Sequence, residues 1–112
     1  MPDEVVLVLT QLPDRAVAET LARALIESRL AACVSIAAPV QSLYHWRGQI
    51  ETAEEVPLVI KTRAARYAEV EAAIRSHHPY ELPEILAVPV SHGSAPYVRW
   101  LVDESSGAPP FV

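Results

Sequence analysis

Residues 4–11 read Glu4-Val5-Val6-Leu7-Val8-Leu9-Thr10-Gln11. A strand with one wet face alternates apolar and polar side chains. Here the apolar row from Val5 to Leu9 is unbroken, so both faces of this strand are expected to be covered. The next segment settles the class. Pro13-Asp14 opens a helix, with Asp14 placed as its N-terminal cap. Arg15, Glu19, Arg23 and Glu27 follow at every fourth position as a charge ladder of alternating sign. Val17, Leu21 and Leu25 form one apolar row and Ala18, Ala22 and Ile26 the adjacent one, the pattern of an amphipathic helix with one dry side.

Outward from this pair the same logic continues. Ala32 to roughly Trp46 reads as extended, with Pro39 forcing a bulge or bend. His45-Trp46-Arg47-Gly48-Gln49 reads as a hairpin turn with Gly48 at the tight position. Gln49 to Glu55 leads into Val56-Pro57-Leu58-Val59-Ile60-Lys61-Thr62, a further strand. Thr62 is placed to cap a second helix from Ala64 to about His77, with Tyr67, Val70 and Ile74 facing in. Glu84 to Val90 is the last long strand. Ser94-Ala95-Pro96 carries the cap-and-early-proline signature of a short final helix whose apolar positions are Tyr97, Val98 and Leu101. Residues 1–104 thus read as a single domain, and 105–112, SSGAPPFV, as a flexible C-terminal tail.

The order β-α-β-β-α-β plus a C-terminal helix is an α+β plan: a ferredoxin-like split βαβ, four antiparallel strands with two helices on one face. The strands are too apolar to leave the other face wet, and no further element remains to cover it. Other copies of the same chain are expected to do so.

Composition narrows the function. The chain has 112 residues, 51% of them hydrophobic, which is more than a lone domain of this size readily hides. The formal net charge of −5 argues against a phosphate-tracking nucleic-acid binder and against an anionic membrane surface. No apolar run approaches the roughly 20 residues of a membrane span. The opening MPDEVVLVLT has no basic n-region, which predicts a cytoplasmic protein. A single cysteine, Cys33, makes no internal disulfide, and three glycines are too few for a dinucleotide fingerprint or a phosphate loop. No nucleophile elbow or HExxH motif is present, so an enzyme is not expected. An RNA-recognition domain shares this strand–helix order, but it needs aromatics on its central strands and a basic face, and Val5 to Leu9 offers neither.

The densest chemistry lies in His77-His78-Pro79-Tyr80-Glu81-Leu82-Pro83-Glu84-Ile85. Imidazole ligates copper or zinc well. Adjacent helical residues point about 100° apart, so His77 and His78 converge on one ion only if the helix has unwound before Pro79. The other reading makes one histidine a cap on the helix carbonyls and packs its neighbour. Cys33 is either a soft ligand or a small buried hydrophobe. Lys61, ending a buried strand, needs a carboxylate such as Glu81 or Glu84, or opens an anion-binding cleft. Tyr44, Trp46 and Trp100 suit an interface or a stacking platform.

Five stretches resemble the divalent-cation tolerance proteins of the CutA family: Ala31-Ala32-Cys33-Val34, Ser42-Leu43-Tyr44-His45-Trp46-Arg47-Gly48, Ile60-Lys61-Thr62, Ser76 to Glu84, and Tyr97-Val98-Arg99-Trp100-Leu101. They stand in register from about Val5 to Val102. The resemblance implies a ferredoxin-like protomer in a tight homotrimer, with hairpin strands pairing across subunits. It also implies a link to copper and other divalent ions, for which His77, His78 and Cys33 are the candidate ligands. The family's trimeric build is similar to that of the PII nitrogen-signalling proteins. That likeness gives the alternative, a ligand-sensing trimer with an inter-subunit anion-binding cleft formed by Lys61, Tyr80, Glu81, Glu84 and Trp46. No organic cofactor is implied.

Overall fold

In the computed structural model, which describes residues 4–106, the apolar row becomes β1 (Val5–Leu12). Val6, Val8, Thr10 and Leu12 are buried, while Leu7, Leu9 and Gln11 are half-buried. The period of two sends the first set toward the helices and the second to the opposite face. Asp14 then caps α1 (Arg15–Glu27), its carboxylate accepting from the Val17 N–H at 2.9 Å. Ala18, Leu21, Ala22 and Leu25 carry the buried side. Ile26, at the margin of that stripe, stays exposed. The charge ladder makes one ion pair, Arg15 to Glu19 at 3.1 Å.

β2 (Cys33–Ile36) and β3 (Val40–Trp46) are the two halves of the expected extended region, parted at Pro39. Arg47 and Gly48 turn the chain with φ of 52° and 81°. Two positive φ values in a two-residue loop make the hairpin turn whose twist matches its strands. The return strand β4 (Gln49–Arg63) runs 15 residues without a break. Its first half pairs only with β3, from Trp46↔Gln49 to Val40↔Glu55, and forms an arm. Its second half lies between β2 and β1, from Ile36↔Leu58 to Cys33↔Lys61 on one edge and from Leu12↔Val56 to Val5↔Arg63 on the other. A 3-10 turn (Ala64–Arg66) leads into α2 (Tyr67–His77), which buries Val70 and Ile74. β5 (Leu86–Pro89) pairs with the outer edge of β1. The sheet order is therefore β2-β4-β1-β5 with every neighbour antiparallel. With α3 (Ala95–Glu104) this is a mixed α+β fold of an antiparallel sheet and three helices.

Three expectations are corrected. Thr62 does not cap the second helix: β4 continues through it, and its buried hydroxyl donates to the Leu30 carbonyl at 2.6 Å. The last strand is short, because Pro83 and Pro89 each lack an N–H for the ladder. One further rung comes from Val90 N–H to Val5 O at 2.9 Å. Finally, the tail does not loosen at residue 105. Ser105 is buried and donates to Leu101 O at 2.7 Å. Its carbonyl accepts from Arg63 and Arg66 at 3.2 and 3.4 Å, and Arg66 also donates to Ser106 O. Guanidinium groups at a helix C-terminus satisfy its orphan carbonyls and oppose its dipole. Residues 107–112 of the expected tail lie outside the described residues.

The core sits between the sheet and α1 and α2, with Val8, Leu12, Leu21, Leu25, Leu58, Ile60, Val70 and Ile74 at its centre. Thr10 intrudes into it; its hydroxyl is buried and finds no partner among the described residues. A buried hydroxyl without a hydrogen bond costs folding free energy, and valine has the same shape with a higher strand preference. Thr10→Val is thus expected to raise the unfolding free energy by about 1 kcal/mol. Urea unfolding of the two proteins checks this, and a lower midpoint for the variant would contradict it.

The sheet's other face carries Leu7 and Leu9 of β1, Val59 of β4, and Leu86 and Val88 of β5. Register places Leu7 opposite Val88, and Leu9 opposite both Val59 and Leu86. Leu86 and Val88 are 58% and 43% exposed, and Leu43 and Ile50 on the arm reach 66% and 71%. That exposed apolar surface is large for so small a chain.

Candidate functional site

The histidine pair ends α2 with its rings apart. The His77 Nδ1 lies 2.9 Å from the Ala73 carbonyl one turn back. A carbonyl only accepts, so Nδ1 donates, and Nε2 of this exposed ring keeps a free lone pair. His78 is extended, at φ −88° and ψ 130°, and is buried. Its Nε2 donates to the Gln11 carbonyl at 2.6 Å, and its Nδ1 accepts the Tyr80 N–H at 3.2 Å. Both nitrogens of His78 are therefore engaged. The expected convergence of the two rings is corrected on this ground: α2 stays helical through His77, and the chain then turns His78 inward. The Tyr80 ring packs on it, with centroids 4.6 Å apart.

Cys33 is half-buried on β2, opposite Lys61 of β4. No cluster of three His, Cys, Asp or Glu residues able to hold an ion occurs among the described residues. Among the described residues, His77, His78 and Cys33 of one chain are not gathered around one point.

Instead the segment after His78 walls a groove. Pro79 and Pro83 stiffen it, and it runs beside the arm. The space between them, about 900 Å³, is lined by Ser42, Leu43, Tyr44, His45, Trp46, Arg47 and Glu55 on the hairpin, and by Tyr80, Glu81, Leu82 and Glu84 opposite. Directly paired residues of an antiparallel ladder share a face. The register Val40↔Glu55 to Trp46↔Gln49 therefore puts Ser42, Tyr44, Trp46 and Glu55 on one side of the arm. One ion pair ties the two walls directly, and Gln11 of β1 bridges them. Arg47 reaches Glu81 at 3.0 Å, Gln11 donates to Glu84 at 3.3 Å, and Ser42 contacts the same Gln11 side chain at 3.4 Å. The Arg47 guanidinium also lies 5.4 Å from the Trp46 ring centre. Burial, followed by the negative charge of Glu55, raises the Tyr80 phenol above its ordinary pKa.

Four of the five expected cleft residues, Trp46, Tyr80, Glu81 and Glu84, line this groove. Lys61 does not. It lies six residues along β4 from Glu55, at the sheet's other end, with its ammonium 5.9 Å from the Tyr97 ring centre. Glu81 pairs with Arg47 rather than with Lys61. The lining of this groove holds Glu55, Glu81 and Glu84 together with Arg47 and His45. Sequence reading passed over Arg47 and Glu55 as site residues. Arg47 had a signal, its place at the hairpin tip beside a tryptophan; the place of Glu55 depends on strand register.

The family model described as CutA1 divalent ion tolerance protein matches residues 6–104. The chain belongs to that family. The Divalent-cation tolerance protein CutA of Citrobacter koseri is 40% identical over 98 residues, a match covering 88% of this chain and 85% of the relative. The Protein CutA homolog of Xenopus laevis is 41% identical over 91 residues, covering 81% of this chain. The match spans only 60% of that longer relative. Among solved structures, CutA1 from the psychrotrophic bacterium Shewanella sp. SIB1 superposes with a TM-score of 0.89 at 40% identity, covering 94% of this chain and 98% of that one. The quoted sequence resemblance to the CutA family thus holds over nearly the whole chain, and the α+β architecture is that of solved CutA1 proteins.

Proposed function

We propose that this CutA1-family chain serves divalent-cation tolerance as a non-enzymatic, cytoplasmic homotrimer of ferredoxin-like protomers, and that the groove beside the arm is its ligand-sensing site. The observation that carries the assembly is the apolar sheet face. Leu7, Leu9, Val59, Leu86 and Val88 form a continuous patch on the face turned away from α1 and α2, half-buried on β1 and β4 and open at Leu86 and Val88. The strand order β2-β4-β1-β5 with two crossover helices supports the ferredoxin-like description. A cyclic assembly covers such a patch without leaving open ends. Like the PII proteins, such a trimer would act by binding rather than by catalysis. Coupled dissociation and unfolding would make the melting temperature rise with protein concentration. A melting temperature independent of concentration over a hundredfold range would count against the assembly.

A copper reading is favoured by one feature, the free Nε2 of His77 on a ring already oriented by Ala73. It gives a single-point contact, which needs donors from other chains or from solvent to complete the ion's shell. Copper(II) heads the divalent affinity order, so it is the ion to test. His77→Ala is expected to weaken Cu(II) binding about tenfold or more, since it removes the one imidazole nitrogen that the 77–84 segment leaves free. Cys33→Ser should change it little. Calorimetric titration decides, and undiminished binding by the His77 variant would refute the contact.

A further inference from the structure

We infer that the groove between the arm and the 79–85 segment binds a linear alkyl polyamine, an inference that rests on reading that groove as the ligand site. Three observations converge. The first is a carboxylate without a counter-ion. Glu55 is 9% exposed and faces the groove, and its partner there is the Tyr80 phenol. No cation pairs with it among the described residues. Burying an ionised group in that state is costly, and a bound ammonium would relieve the cost.

The second is that the mouth of the groove already holds an organic cation of the chain's own. The Arg47 guanidinium rests 5.4 Å from the Trp46 ring centre and pairs with Glu81 at 3.0 Å. Aromatic face plus carboxylate is the chemistry that selects alkylammonium and guanidinium groups. Both partners are exposed, Arg47 at 72% and Glu81 at 74%, so this pair is weak and displaceable.

The third is the spacing. Glu55 stands opposite Val40, and Trp46 and Arg47 stand at the other end of the arm, about 20 Å away at the rise of a strand. Glu84 lies between them, held through Gln11 near Ser42. Carboxylates toward both ends of the groove, with Tyr44, Tyr80 and Trp46 in its lining, match a ligand that carries ammonium groups spaced along a methylene chain. A divalent metal ion does not use such a spacing, because it needs its donors gathered around one point. An anion meets three carboxylates and one arginine.

Calorimetric titration of spermine at low ionic strength tests this, with ATP as the anionic probe. The wild-type chain should bind spermine saturably, and binding should weaken with added salt. Arg47→Ala should tighten it about threefold, the scale of one exposed ion pair, because the built-in competitor is gone. Glu55→Gln should weaken it about tenfold, the scale of a lost charge-assisted contact to a buried carboxylate. Glu81→Gln, at an exposed site that leaves the fold untouched, should also weaken it and carries the test if the Glu55 variant melts early. Absence of saturable spermine binding, tighter binding lost rather than gained in Arg47→Ala, or unchanged binding in both glutamate variants overturns the proposal. ATP binding that disappears in Arg47→Ala would uphold a ligand groove while overturning its preference for cations.

Discussion

Replacing His78 with alanine is expected to lower the unfolding free energy by about 3 kcal/mol. The change removes the partner of two part-buried groups at once, the Gln11 carbonyl and the Tyr80 N–H. Each unsatisfied buried partner costs about 1–3 kcal/mol, and the missing ring adds a cavity beneath Tyr80. His77→Ala removes only an exposed contact to its own helix and should cost under about 1 kcal/mol. Urea unfolding of both variants separates the two roles. Equal small losses would mean that His78 is not the pin joining the groove wall to β1. The contrast matters for function: the same imidazole that would have made a metal pair is the anchor that sets Tyr80 and Glu81 against the arm.

The second large effect concerns assembly. Leu86 and Val88 lie on β5, the exposed outer strand, so glutamate at both positions leaves the core of one chain intact. In the proposed trimer the same substitutions bury like charges against an apolar partner, at several kcal/mol per ion. Leu86→Glu with Val88→Glu is therefore expected to convert the assembly to monomers that keep the wild-type far-ultraviolet circular dichroism. Size-exclusion chromatography with light scattering reads the mass directly. A double variant that still runs as the wild-type assembly would place the interface elsewhere, most simply along the arm where Leu43 and Ile50 are bare.

What could be read from the sequence was local. Asp14 caps α1 because the capping interaction spans three residues, Asp14 to Val17. The hairpin turns at Arg47-Gly48 because glycine accepts a positive φ. Pro39 parts β2 from β3, and Pro79 ends α2, for reasons that lie within each ring. The features that escaped depend on distant partners. Thr62 looked like a cap, yet the β4 ladder with β1 extends through it to Arg63. Lys61 looked like the counter-ion of Glu81 or Glu84. Register carries it to the far end of β4, beside α3. Glu55 stood in the sequence only as the lead-in to a strand, and its pairing with Val40 and the return of the 79–85 segment bury it. The histidine pair shows the same limit. That His78 folds back on Gln11 is a contact across 67 positions, which no spacing within HHPYELPEI encodes.

The proposed trimer requires the apolar sheet face to be an interface between copies of this chain. Sedimentation equilibrium of the wild-type protein at micromolar concentration tests that most directly. Three chains of 12.3 kDa predict a single species of about 37 kDa; a species of 12.3 kDa would contradict it.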